Sequence, residues 1–113
     1  MAAPRPPITS HVLDTTKGGP ASGMSVALSF RGEVIAADKT NFDGQSTQLL
    51  DVSHKLERGE YSLAFDAKEY FERTGQAVFL SEVSVTFQVE NVDEHYHIPL
   101  LLSPFGYSMY RGS

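Results

Sequence analysis

The sequence predicts an all-β protein, a sandwich of seven or eight short strands with one short helix. Apolar residues recur at every second position through several short stretches, which is the period of a half-buried strand. Glycine, proline, asparagine or aspartate separates these stretches at intervals typical of sandwiches. A chain of 113 residues has the length of one domain. We expect that domain over residues 8–113, after an extended lead-in at residues 1–7 that contains three prolines.

The first predicted strand, residues 8–15, has two chemically different faces. One carries Ile8, Ser10, Val12 and Asp14, and the other carries Thr9, His11, Leu13 and Thr15. Strands at residues 24–30 and 34–40 are separated by Arg31–Gly32, which predicts a hairpin. The Asn41–Gly44 segment that follows reads as a turn, because its glycine takes positive φ at little cost.

The one predicted helix follows a strand at residues 61–65. Asp66 lies three residues before Glu69, which is the spacing of a capping box, and Gly75 can end the helix after Thr74. We therefore expect the helix to occupy the segment from Asp66 to Thr74.

Two further strands complete the predicted sandwich, at residues 83–89 and 95–102. The second contains Pro99, which has no amide proton to donate to a neighbouring strand. We expect the amide position of Pro99 to face an edge, a bulge or an interface.

Composition excludes several classes of function. The net charge of −5 disfavours nucleic-acid and anionic-membrane partners, which require basic surfaces. The chain has no cysteine, so disulfides, zinc–thiolate sites and cysteine nucleophiles are excluded. No apolar run reaches the roughly twenty residues of a membrane span. The first residues lack the apolar core of a secretory signal, so we expect a cytoplasmic protein.

Histidines are the main candidates for chemistry. His95 and His97 are two residues apart on one predicted strand and share a face, and His11 lies on the first strand. A neutral imidazole can act as a general base near pH 7. Two other interpretations stay open: hydrogen-bonded structural histidines, or a metal site formed by His11, His95 and His97. His54, in a polar loop, is expected to have no special role.

Several motifs together resemble one known family. They are His11–Val12–Leu13–Asp14 followed by Gly19–Pro20–Ala21, then Thr40–Gly44, His95–Pro104 and Tyr110–Arg111–Gly112–Ser113. They are similar, in matching order, to the signatures of the 5-hydroxyisourate hydrolases, the transthyretin-like proteins. Transthyretin shares the fold but is not similar over the histidine and Tyr-Arg-Gly-Ser motifs. The resemblance implies two four-stranded sheets with a helix after the fifth strand, and a homotetramer built as a dimer of dimers with active sites in the channel between them.

The resemblance also implies an activity, the hydrolysis of 5-hydroxyisourate to 2-oxo-4-hydroxy-4-carboxy-5-ureidoimidazoline in urate breakdown, with no metal or other cofactor. His11 and His97 would activate and orient the attacking water, and Ser113 would hydrogen-bond in the same network. His11 and Tyr110 would contact the substrate. Arg111 would anchor the tail through an ion pair.

The chain departs from the family at Gln45. The turn Asp-Gly is usually followed in the family by an arginine that binds the anionic substrate, whereas glutamine donates hydrogen bonds without a charge. Losing one donor aimed at developing charge typically costs about 3 kcal/mol. Three explanations stay open. Gln45 supports a reduced activity, Arg111 or Lys39 compensates, or the chain is a paralogue or variant that acts as a transthyretin-like small-ligand binding protein.

Overall fold

Two β-sheets pack face to face in the computed structural model, which describes residues 5–113. Residues 1–4 of the predicted lead-in lie outside the described residues. In chain order the elements are β1 (Ile8–Asp14), β2 (Gly19–Pro20), β3 (Ser25–Phe30), β4 (Glu33–Lys39), β5 (Gln45–Ser46), β6 (Gly59–Asp66), α1 (Ala67–Arg73), β7 (Glu82–Val89), β8 (Tyr96–Leu102) and β9 (Tyr107–Met109).

The two sheets confirm the predicted sandwich with one difference in strand number. The second sheet has four strands in the order β4-β3-β6-β7, as expected. The first sheet has five, in the order β2-β1-β8-β9 with β5 also paired to β1. β2 pairs with the end of β1 and β5 with its middle, so these two-residue strands share one edge and occupy one strand position. β2, β5 and β9 are too short to show an alternating pattern in the sequence.

The predicted hairpin and helix are both confirmed. Arg31 and Gly32 have φ values of 51° and 84°, and they connect β3 to β4. The Asp66 side chain caps α1 by accepting the Glu69 N–H at 3.2 Å. On the next turn, Glu69 and Arg73 form the ion pair that helical spacing favours, at 3.0 Å. The helix is short, so it depends on packing against the sandwich.

The core lies between the sheets and continues under the helix. Its largest fully buried side chains come from both sheets and from α1: Tyr61, Tyr70, Phe65, Phe71, Ile8, Met24, Leu28, Leu63, Leu100, Leu102, Val12 and Val26. The face of β1 that was predicted to carry Ile8 and Val12 is the buried one. Its other face, with Thr9 and His11, is therefore turned outward.

A buried hydrogen bond joins the helix to the first sheet. The Tyr70 hydroxyl donates to Asp14 Oδ2 at 2.8 Å. Burial and the neighbouring Asp14 raise the pKa of Tyr70 to about 12. Burial alone would raise the pKa of Asp14, but hydrogen bonds from Thr16, Tyr70 and the Lys17 amide hold that pKa below its ordinary value. The first sheet and the helix are thereby held in a fixed relation.

Pro99 lies in β8, inside the first sheet, and its missing amide proton limits the pairing between β8 and β9. β8 is flanked by β1 and β9, so Pro99 is not on an edge strand. Its carbonyl accepts the Tyr110 N–H at 3.3 Å, but it cannot donate in return. β9 accordingly ends at Met109, and the tail rejoins β8 only at an isolated bridge between His97 and Gly112.

Candidate active site

The site forms on the outward face of the first sheet, where β1 runs parallel to β8. Thr9 lies opposite His97 in this register, and His11 lies opposite Pro99. On the other side of β1, His11 lies opposite Gln45. Period-two alternation places neighbours in register on the same face of a sheet. The strand pairing therefore brings together residues that are 88 positions apart in the chain, Thr9 and His97.

Gly44 allows Gln45 to reach β1. Its φ is +76°, and a Cβ added there would lie 2.5 Å from the carbonyl oxygen of Val12. The same close approach lets the Val12 N–H donate to the Gly44 carbonyl at 2.8 Å. Only glycine fits both the conformation and the space, so this turn fixes Gln45 beside His11.

A cleft of about 240 Å³ opens at this surface. It is lined by Arg5, Pro6, Thr9, Gln45, Thr47, His95, His97 and Ser113. The lining combines two imidazoles, hydroxyl and amide groups and one guanidinium, and no carboxylate side chain is among these residues. Such a lining suits a small, oxygen-rich molecule, and its charge favours an anion.

One hydrogen-bond chain fixes the orientation of both imidazoles. His95 Nδ1 lies 2.6 Å from the Pro6 carbonyl oxygen, which can only accept, so this nitrogen carries a proton. In neutral His95, Nε2 is then an acceptor, and it lies 3.3 Å from the Thr9 hydroxyl. If Thr9 donates to His95, its oxygen accepts from His97 Nδ1 at 2.8 Å. This arrangement satisfies every member of the chain and leaves His97 Nε2 with a free lone pair.

The surroundings keep His97 neutral. Burial lowers its pKa below the ordinary value of 6.5, and the neighbouring His95, His11 and Arg5 lower it further. Burial likewise lowers the pKa of His95, against the opposing effect of its bond to Pro6. The two rings stack with centroids 6.3 Å apart, so protonating either disfavours protonation of the other. A neutral imidazole with an exposed lone pair is what a general base requires.

The Tyr110–Ser113 tail closes one side of the cleft. The Gly112 N–H donates to the His97 carbonyl at 2.8 Å, and a Cβ on Gly112 would lie 2.7 Å from the His97 ring. Arg111 forms an ion pair with Glu94 at 3.1 Å, which confirms its expected role as an anchor. The tail therefore lies directly against the imidazole, and Ser113 follows at the rim of the cleft.

The predicted site residues are brought together only in part. His97, Gln45 and Ser113 line the same cleft, and His11 is the register neighbour of Gln45 just outside the lining. Tyr110 is 57% exposed and does not line the cleft in the single chain. His54 lies exposed in a loop. The metal interpretation finds no support, since no group of three histidine, aspartate or glutamate side chains within residues 5–113 is placed to share an ion.

Two residues of the site were missed in the sequence. Thr9 was assigned to the same face as His11, and the alternation of β1 could have indicated its role beside His97. Arg5 belongs to the proline-rich lead-in, where no periodicity indicates which way a side chain points. Only the structure shows it in the cleft.

Replacing Thr9 with valine is expected to remove a hydrogen bond with a net free energy of about 1 kcal/mol and so to loosen the orientation of the His97 ring. The hydroxyl is what selects the Nδ1–H tautomer of His97. Imidazole ¹⁵N NMR should show a mixture of His97 tautomers in Thr9→Val and one tautomer in the control Thr9→Ser. A single unchanged tautomer in Thr9→Val would contradict this role.

The sequence and the fold are similar to those of known proteins. The model of the HIUase/Transthyretin family matches residues 8–112. A 5-hydroxyisourate hydrolase from Halalkalibacterium halodurans is 44% identical over 115 residues, which cover 94% of this chain and 97% of that protein.

Solved structures extend the similarity to both branches of that family. The 5-hydroxyisourate hydrolase of Klebsiella pneumoniae is 33% identical, with a TM-score of 0.84 and coverage of 94% of this chain and 92% of the other. Transthyretin from Sparus aurata is 29% identical, with a TM-score of 0.88 and coverage of 96% and 97%. Backbone similarity therefore does not separate the enzyme from transthyretin, and the residues of the site must do so.

Proposed function

The chain belongs to the HIUase/Transthyretin family, and on that premise we propose that it is a hydrolase that converts 5-hydroxyisourate to 2-oxo-4-hydroxy-4-carboxy-5-ureidoimidazoline in the breakdown of urate. The observation that carries this proposal is His97, held in a small polar cleft by Thr9 and flanked by Gln45 and Ser113. The cleft is too small and too polar to suit a large apolar ligand, so non-catalytic binding is the less favoured alternative.

In the proposed mechanism, His97 activates a water molecule. Its Nε2 takes one proton from the water as the oxygen adds to the lactam carbonyl carbon of the substrate. The ring carbon–nitrogen bond then breaks, the imidazolium returns the proton to the leaving nitrogen, and the carbonyl carbon becomes a carboxyl group. His11 and Gln45, adjacent in register, orient the substrate and the water. Ser113 hydrogen-bonds within this network, and Tyr110, which does not line the cleft of the single chain, would contact the substrate ring in the assembled tetramer proposed below.

We also propose that the protein acts as a homotetramer, a dimer of dimers. The outward face of the first sheet carries Leu13 and Leu101, only half buried, beside the site. The short strand β9 adds exposed Tyr107 and Met109 at the edge of the same sheet. Apolar groups around a polar cleft favour covering by further copies of the chain. Within residues 5–113, no helix has the length and apolarity needed to cross a bilayer.

The proposed activity is tested by generating 5-hydroxyisourate with urate oxidase and following its absorbance. The protein is expected to accelerate the decay well above the spontaneous rate. Sedimentation of the same sample establishes that it is folded and tetrameric. Decay at the spontaneous rate in the presence of folded tetramer would reject the enzyme and leave the binding protein. We also propose a cytoplasmic location, because the substrate is a small polar molecule. Cell fractionation tests this location.

A further inference from the structure

The anionic substrate of the proposed function calls for a positive charge that Gln45 does not provide. Gln45 lies in the cleft beside His11, and its amide offers an anion hydrogen bonds but no counter-charge. The two cations considered from the sequence, Arg111 and Lys39, both lie elsewhere. Arg111 is paired with Glu94 and packs over the Tyr96 ring at 4.4 Å. Lys39 lines a separate groove of about 730 Å³ formed largely by strands of the second sheet.

Arg5 is the cation that does line the cleft. Its Nη1 donates to the main-chain oxygen of Ser113 at 3.2 Å, and it shares the lining with Gln45 and His97. The lining contains no aspartate or glutamate, and among the described residues the partner of this guanidinium is the main-chain oxygen of Ser113. Its fork of N–H donors therefore keeps capacity for an anionic ligand after the bond to Ser113.

Two hydrogen bonds attach the backbone next to Arg5 to the start of β8. These bonds fix the position from which the guanidinium enters the cleft. The Pro6 carbonyl accepts from His95 Nδ1 at 2.6 Å, and the Pro7 carbonyl accepts the Tyr96 N–H at 2.8 Å. Two consecutive prolines restrict the backbone between these contacts and β1. The lead-in thus runs along the cleft and presents Arg5 to it.

We propose that Arg5 provides the positive charge that binds the anionic substrate, in place of the arginine that the family usually has after Asp43–Gly44. The inference rests on the proposed function and assigns the missing charge to another part of the chain. Arg5 also holds Ser113 at the rim, so one guanidinium serves both the substrate and the tail. The charge is also felt by the imidazoles, because Arg5 contributes to the lowered pKa of His95 and of His97.

Steady-state kinetics of Arg5→Gln test this inference. We expect KM to rise about tenfold at low ionic strength and the difference from the unmodified chain to shrink as salt screens the charge. Arg5→Lys should keep most of the affinity. Arg31→Gln, which removes an arginine from the β3–β4 turn, is the matched control and should leave KM unchanged. An unchanged KM in Arg5→Gln would overturn the assignment.

A second substitution locates the charge. Gln45→Arg should restore KM in the Arg5→Gln background, and it should raise the catalytic efficiency less in the unmodified chain, where Arg5 is already present. An equal gain in both backgrounds would show that Arg5 does not supply the charge.

An NMR titration separates this inference from the proposed function. Removing Arg5 should raise the pKa of His95 and of His97 whether or not the protein turns over substrate. Failure of the unmodified protein in the urate-oxidase assay would reject the hydrolase. If the histidine pKa values are unchanged in Arg5→Gln and the unmodified protein is active, the role assigned to Arg5 is rejected and the proposed hydrolase stands.

Discussion

Replacing His97 with asparagine is expected to lower kcat by about 10²- to 10⁴-fold, the usual contribution of a general base. The asparagine amide can still hydrogen-bond to Thr9, but it has no nitrogen that takes up a proton near neutral pH. The urate-oxidase assay measures the loss, and the thermal midpoint shows that the sandwich is intact. A loss of less than tenfold would place the base elsewhere in the site.

His54→Asn is the matched control for this substitution. His54 is exposed in a loop, so its loss should leave kcat unchanged. The pH profile adds a second check, because the proposed mechanism requires neutral His97 and burial lowers its pKa below 6.5. The acid limb of kcat/KM should therefore fall below pH 6.5, and an acid limb above that pH would contradict the assignment of His97.

Replacing Gly112 with alanine is expected to lower kcat/KM by about a hundredfold, the scale of a displacement of about 1 Å in a catalytic group. The added Cβ would lie 2.7 Å from the His97 ring and 3.1 Å from Pro99. Thr9 holds the ring from its other side, so either the tail or the imidazole must move. Ser113 moves with the tail. The core is remote from this contact, and the thermal midpoint should change little.

Gly106→Ala provides the comparison within the same segment. A Cβ at Gly106 meets no atom within 4 Å among the described residues, so this variant should keep full activity. Activity equal to that of the unmodified protein in Gly112→Ala would show that the tail does not need its close approach to His97.

The sequence was sufficient to predict the elements whose physics is local. Alternation separated the two faces of β1, and the capping box at Asp66 identified the helix. The same period placed His11 and Thr9 together on one face, which the structure turns outward. The sequence could not predict the parallel register of β1 and β8, because this pairing joins segments that are far apart in the chain. The register places Thr9 opposite His97. The sequence pattern does not indicate Arg5 either. The lead-in has no periodic pattern, and its path is set by contacts with residues at the start of β8.

Gln45 illustrates a different limit. Its lack of charge was evident from the sequence, and the candidates for compensation were Arg111 and Lys39. Arg111 forms an ion pair with Glu94, and Lys39 is part of β4 in the other sheet. Which cation shares the cleft with Gln45 depends on how the lead-in is held against the start of β8, and this is a property of the folded molecule.

The pairing of β1 with β8 also determines when the protein can become active during folding. The strands of the second sheet pair across shorter stretches of chain, the longest being from Val26 to Phe65, whereas Thr9 and His97 must meet across 88 residues. Closing so long a loop carries the larger entropy cost, and such pairings form slowly. A partly folded chain with only the second sheet in place has no cleft, no oriented imidazole and no docked tail. Turnover is therefore a property that appears with the final closure of the first sheet, and an incompletely folded molecule is inert.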